Sequence, residues 1–344
     1  MRPARREREI GLFYGIITGL NGGLGIEIFV LLNYAIQLAG SAVPLSLLLC
    51  GVISTLTMLS YCELGAAIPE VGGDYTFSKA AFGGFLAFFT GWFRWVSSIF
   101  GAALAAMGFA QMVTYFVPIN PHLVAALIVV LFTFTSIRGI REIDVITVSS
   151  FIAIFTLFIF TGLWHGLKPG PLYPLRLVEL PGFLAASIFS FTMVSGVRSV
   201  VAISAQVKEP GKNIPRIILL TEAVLIVLYC SIAYVVVGLV PPEEITATTL
   251  PLTLAAERIW GGAGGALLTV AGMIAAILSL TTSIMVQSSI LQGLSRDGYL
   301  PKTLLSMHRR FKTPYVANLL GSAFILFLVA TCLLYTSPSP RDRG

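Results

Sequence analysis

Between residues 11 and 39 the chain is apolar enough to cross a bilayer, yet its middle reads Gly19-Leu20-Asn21-Gly22-Gly23-Leu24-Gly25-Ile26-Glu27-Ile28-Phe29-Val30. Hydrocarbon offers no partner to a backbone N–H or C=O. A spanning segment is therefore helical throughout, unless protein or a water-filled cavity surrounds the interruption. The glycines weaken the helix here, and Glu27 adds a charge that costs about 2.5–3.5 kcal/mol at mid-span on insertion scales. A glycine-interrupted span carrying a charge is how secondary transporters build a central binding site. That is the function class to which the stretch points.

The rest of the chain supports a membrane setting. Charged residues make up only 11% of it and mean hydropathy is +0.89, against about 25% charged in an ordinary soluble domain. Apolar segments at about 11–39, 42–65, 84–117, 122–138, 143–165, 181–206, 215–240, 264–294 and 315–335 predict nine spans, each near or above the ~20 residues needed to cross. The net charge of +6 is distributed as a topology signal and does not imply a nucleic-acid partner. Arg2, Arg5, Arg6, Arg8, Lys79, Arg138, Arg141, Lys208, Lys212, Arg216, Arg296, Lys302, Arg309, Arg310 and Lys312 fall on one side, against Lys168, Arg176 and Arg258 on the other. The amino terminus is therefore expected in the cytoplasm and the chain in the plasma membrane. Cys50, Cys62, Cys230 and Cys332 lie in apolar segments without paired spacing, which predicts free thiols and no metal site.

Span order suggests an internal duplication. Spans 3 and 8 are both unusually long, and spans 1 and 6 are both interrupted by glycine and polar residues. The second interruption is Phe189-Ser190-Phe191-Thr192-Met193-Val194-Ser195-Gly196-Val197-Arg198. Each pair is five apart, as in an inverted repeat whose site lies where the two broken helices meet. This divides the chain into a cytoplasmic tail (1–10), a first repeat of helices 1–5 (11–165) and a second repeat of helices 6–9 (181–335). The tenth helix is missing, so truncation after about nine helices is expected. The Pro- and Arg-containing tail 336–344 reads as non-native or a truncation scar.

Five segments in the same order resemble the amino acid/polyamine/organocation superfamily of permeases. Ile28-Phe29-Val30 after the glycine break is similar to its first-span motif. Tyr61 to Tyr75 (YCELGAAIPEVGGDY) resembles its signature between helices 2 and 3, and Gly91-Trp92-Phe93-Arg94-Trp95 its third-helix start. Val207-Lys208-Glu209-Pro210-Gly211-Lys212-Asn213-Ile214-Pro215-Arg216 and Ser295-Arg296-Asp297-Gly298-Tyr299-Leu300-Pro301 resemble its loops after helices 6 and 8. The resemblance implies an all-α integral membrane protein of the leucine-transporter type, a 5+5 inverted repeat. It also implies alternating access and a small-molecule substrate that is an amino acid or related amine.

The substrate is then expected against Gly23, Leu24, Gly25, Ile26 and Glu27 of the first break and Phe191, Thr192, Ser195 and Gly196 of the second. Two registers of the G-x-G motif are open, Gly25-Ile26-Glu27 and Gly23-Leu24-Gly25. Counting back from Pro210 puts Arg198 where the family carries an acid. Two unpaired mid-span charges would together cost about 5–7 kcal/mol on insertion scales, so Glu27 and Arg198 are expected to pair, as a gate, a proton-binding couple or a structural ion pair. Ser279, Thr282 and Ser283 resemble the stretch that, with carbonyls such as that of Gly22, holds Na⁺ in sodium-coupled relatives. Na⁺ coupling, H⁺ coupling through Glu27 and pure exchange all stay open, with no cofactor and no bound metal beyond such an Na⁺. Arg94 and Glu222, the other charges inside spans, are read as structural or snorkelling groups.

Two other classes compete. A channel would need a polar stripe along a span, which the sequence lacks. A non-transporting amino acid sensor on the same scaffold is the main alternative. No metal cluster, nucleophile–base constellation or phosphate loop points to an enzyme.

Overall fold

The computed structural model describes residues 10–69, 73–138, 144–167, 180–202, 204–311 and 313–331. The basic amino-terminal tail, Gly72, Arg141, Lys168, Arg176, Lys312, Cys332 and the tail 336–344 lie outside the described residues. The chain is helical, in the order α1 (Leu12–Gly23), α2 (Glu27–Ala39), α3 (Val43–Ala67), α4 (Asp74–Phe82), α5 (Gly84–Phe116), α6 (Pro121–Arg138), α7 (Asp144–Trp164), α8 (Leu180–Phe189), α9 (Phe191–Val194), α10 (Ser199–Ala202), α11 (Pro210–Leu239), α12 (Pro242–Ala247), α13 (Pro251–Arg296) and α14 (Tyr315–Thr331).

By length and composition, seven helical stretches among the described residues can cross a membrane. The sequence predicts nine, and the difference has a physical source. The first predicted span is two pieces, α1 of 12 residues and α2 of 13, each too short to cross alone at 1.5 Å per residue. A 3₁₀ turn at Gly40–Ala42 then carries α2 almost directly into α3, so Glu27–Ala67 reads as one apolar stretch. Of the last predicted span, 315–335, the described residues comprise the 17 of α14. Two further boundaries move. Helix α11 starts at Pro210, not near 215, with Glu209 left-handed at its amino end (φ 44°) and Pro at its first turn. Helix α13 begins at Pro251 and breaks at Gly261 (φ 69°), so residues 262–296 form its long second part.

Two compact units interleave along the chain, one of residues 1–73 and 143–272, the other of 74–142 and 273–344. In the first, α3 packs along α11 and α1 crosses the same helix. Gly15, Gly19 and Gly23, spaced by four, form the face of α1 that meets Ile217, Thr221 and Leu225, spaced by four, on α11. A Cβ on Gly19 would stand 2.8 Å from Thr221 Oγ1. In lipid, helices associate by close packing and not by hydrophobic burial, and small residues allow that approach.

In the second unit, side-chain hydrogen bonds link apolar helices. Trp95 Nε1 on α5 donates to Gln287 Oε1 on α13 at 3.2 Å, and Gln287 Nε2 donates to the Ala317 carbonyl of α14 at 3.4 Å. Thr133 on α6 donates to the Ser322 hydroxyl of α14 at 2.7 Å. Helix α13 ends at Gly298, whose positive φ (86°) lets the Tyr299 N–H reach back to the Leu294 carbonyl at 3.0 Å. That turn presents Asp297 to α4, where Lys79 Nζ sits 2.7 Å from it and the Tyr75 hydroxyl donates to it.

Partial burial works to raise the pKa of Asp297. The hydrogen bonds from Lys79 and Tyr75 and the nearby positive charges outweigh this and hold its carboxyl below the ordinary 3.8. A carboxyl depressed in the folded state stabilises fully above its unfolded value, about pH 4, and loses that contribution as pH falls through the folded value. Lys79 is half exposed, so the pair is worth under about 1 kcal/mol. Asp297→Asn is expected to lower the melting temperature slightly at neutral pH, with the difference closing in acid. Thermal unfolding of the solubilised protein across pH checks this.

Candidate functional site

Helix α1 leaves helical geometry after Gly23. The Leu24 N–H still closes on the Leu20 carbonyl at 2.6 Å, residues 24–26 turn, and α2 starts at Glu27 with the Ile26 carbonyl accepting from Phe29 and Val30. The second interruption has a different form. Ser190 is a turn residue, α9 is one turn long, and Ser195–Arg198 tightens to a 3₁₀ helix before α10. Both sequence-predicted breaks are therefore present, one a gap and the other an overwound stretch.

The two breaks, both in the first unit, touch through their backbones. A Cβ on Gly196 would fall 2.8 Å from Gly23 Cα, and one on Gly22 would fall 2.9 Å from the Gly196 carbonyl oxygen. Only glycine allows this approach. The Tyr229 hydroxyl of α11, fully buried, donates to the Gly23 carbonyl at the end of α1, satisfying one of the carbonyls that a helix end leaves open.

The predicted site residues are distributed as follows. Gly23, Leu24, Gly25 and Ile26 are buried and Gly22 and Glu27 half-buried. Ser195 is buried, Phe191 and Gly196 are half-buried, and Thr192 is exposed with its hydroxyl on the Phe189 carbonyl. The expected pair between Glu27 and Arg198 is not formed. Arg198 folds back on its own 3₁₀ turn, donating from Nε to the Ser195 carbonyl at 3.0 Å and from Nη2 to the Ser195 hydroxyl at 3.2 Å. The Glu27 carboxyl lies beside its own backbone N–H at the start of α2. Among the described residues the ion pairs are Lys79–Asp297, Arg94–Asp74, Lys212–Glu209 and Arg258–Glu244. Arg94 thus has a partner at 3.7 Å, whereas Glu222 is 1% exposed, too deep to snorkel.

Gly22 belongs to the first unit. Ser279, Thr282 and Ser283 share one face of α13 in the second, each half-buried. Sequence reasoning missed Tyr229, Ser190 and Ser199. The hydroxyls of both serines are buried without a hydrogen-bond partner among the described residues, and Ser199 stands against Gly22. The four-residue spacing of Gly15, Gly19 and Gly23, and of Ile217, Thr221, Leu225 and Tyr229, was the available signal. A separate open cleft of about 200 Å³ is lined by Phe160, Thr161, Trp164, His165, Ile259 and Trp260 and includes no residue of either break.

The sequence profile described as amino acid permease matches residues 10–339. The chain belongs to the amino acid permease family. It is a multi-pass membrane transporter and not an enzyme. This permease is 27% identical to a transporter of Mycobacterium tuberculosis over 335 residues, 96% of this chain and 75% of that one. It is 26% identical to the branched-chain amino acid permease BcaP of Bacillus subtilis over 352 residues, 91% and 72% of the two chains. It is 27% identical to the methylthioribose transporter of the same organism over 334 residues, 90% and 71%.

Two outcomes follow for this permease. Gly196→Ala forces a methyl group into the Gly22 backbone and is expected to destabilise by about 1–3 kcal/mol. Gly211→Ala, open within 4 Å in α11, is expected to be neutral or stabilising by up to about 1 kcal/mol. Tyr229→Phe leaves the Gly23 carbonyl without its donor and is expected to lose about 1–3 kcal/mol. Thermal melts of the three variants check both.

Proposed function

We propose that this permease is a secondary active transporter that moves amino acids or related amines across the plasma membrane by alternating access, with its amino terminus in the cytoplasm. The observation that carries the reading is the backbone contact between the two interrupted spans, at Gly22 and Gly23 on one side and Gly196 on the other. Spans broken by glycine and joined at their breaks leave peptide groups that a zwitterion can use, amides for its carboxylate and carbonyls for its ammonium.

The composition of the compact units supports the inverted repeat. Counting α1 with α2 as span 1 and α8 to α10 as span 6, spans 1 and 6 share the first unit with 2 and 7. Span 3 and the part of span 8 from Met273 onward share the second with 4 and 9. Members of a duplicated pair, five apart, thus fall together. The names of relatives cover branched-chain amino acids and methylthioribose, which supports a small polar solute of amino-acid size. Na⁺ coupling, H⁺ coupling and pure exchange are alternatives within the reading, the first because Ser279, Thr282 and Ser283 align three hydroxyls at i, i+3 and i+4.

Uptake of labelled amino acids by the purified protein in proteoliposomes tests the reading. Glu27→Gln and Arg198→Gln, which neutralise the charges flanking the breaks, are each expected to lower uptake about tenfold, or ~1.4 kcal/mol. Wild-type rates in both would remove these side chains from the transport path. Ligand-induced thermal stabilisation without any flux would instead identify a sensor.

A further inference from the structure

We propose that Glu222 is a proton-binding site of this permease, neutral in the conformation seen here and discharged when water reaches the seam between α3 and α11. The site itself stands on geometry. Its use in coupling rests on the transport reading above.

Glu222 is the thirteenth residue of α11, about 18 Å along the helix at 1.5 Å per residue, well inside the span. Its side chain is 1% exposed and both carboxyl oxygens lack a hydrogen-bond partner among the described residues. No described Lys, Arg or His stands within ion-pair distance of it. The groups that face it from α3 are the Ser54 hydroxyl, out of hydrogen-bond geometry, and the Cys50 thiol. Cys230 of α11 neighbours Cys50, and Cys62 is turned to the Pro215 carbonyl. From the broken spans, Arg198 is held on Ser195 and Glu27 lies by Tyr229. Helix α1 turns its glycine face to α11.

An ionised carboxylate left dry and unpaired is far more costly than a neutral carboxyl, so the group takes a proton instead of a charge. A hard metal cation needs a cage of oxygens, and one hydroxyl does not supply it. The proton is the ligand that fits. The step is an acid–base one: the Glu222 carboxyl gives H⁺ to water when the seam is hydrated and regains it from water when the seam closes. Residue 222 sits between Thr221, which packs on Gly19, and Leu225, which packs on Gly23. Movement of α1 against α11 therefore bears on the turn that holds the acid.

Difference infrared spectroscopy of the protein in lipid vesicles, titrated from acid to alkaline pH without substrate, reads the site directly. The C=O stretch of a protonated carboxyl at neutral pH is expected to be lost in Glu222→Gln, shifted in Glu222→Asp and kept in Glu27→Gln. A band unchanged in Glu222→Gln, or no protonated carboxyl in the wild type, overturns the proposal. Where Glu222→Gln does not fold, an unshifted band in Glu222→Asp overturns it equally. For coupling, an imposed pH gradient is expected to drive accumulation of a labelled mixture of the standard amino acids, and Glu222→Gln to reduce it to the level without a gradient. Undiminished accumulation in that variant removes the coupling role. Wild-type vesicles that move none of the mixture sink the transport reading and leave the infrared titration to decide the proton site.

Discussion

Every peptide group inside a bilayer needs a partner, and the first unit is organised around the places where a helix cannot supply one. Helix α1 stops at Gly23 and leaves carbonyls at its end. Tyr229 caps one of them from α11. The Gly22–Gly196 approach brings a second interrupted segment against the same point, so that each break is covered by the backbone of the other. Remove that mutual cover and neither interruption is tolerable in lipid.

The two compact units solve helix association by different means. In the first, glycines remove side chains so that α1 lies directly on α11. In the second, buried amide and hydroxyl groups of Gln287, Thr133 and Ser322 connect neighbouring helices, and ion pairs at Asp297 and Asp74 tie α4 to the end of α13 and to Arg94 within α5. Side-chain hydrogen bonds hold fixed partners, because breaking one strands two polar groups in an apolar setting.

Four of the charged residues within the helices illustrate how little residue identity says about role. Arg94 is paired with Asp74, Arg198 is folded onto its own turn, Glu27 lies beside its own amide at a helix start, and Glu222 has neither cation nor hydrogen bond among the described residues. The helix amino end gives Glu27 a local source of positive potential, and the 3₁₀ turn gives Arg198 carbonyl and hydroxyl acceptors. Arg198 thus finds acceptors within its own turn, and it does not pair with Glu27.

The class of the molecule, the position of both interruptions and the family were legible in the amino-acid order, because hydropathy, glycine content and motif order are local properties. The bounds of the spans were not, since a 3₁₀ turn at Gly40–Ala42 runs α2 into α3 and a left-handed Gly261 breaks α13 near its start. Nor was the partner of any buried charge. Tyr229 reaching Gly23 across 206 positions, and Gly196 meeting Gly22, depend on how helices cross, and a crossing is set by the shapes of two surfaces that lie far apart in the chain.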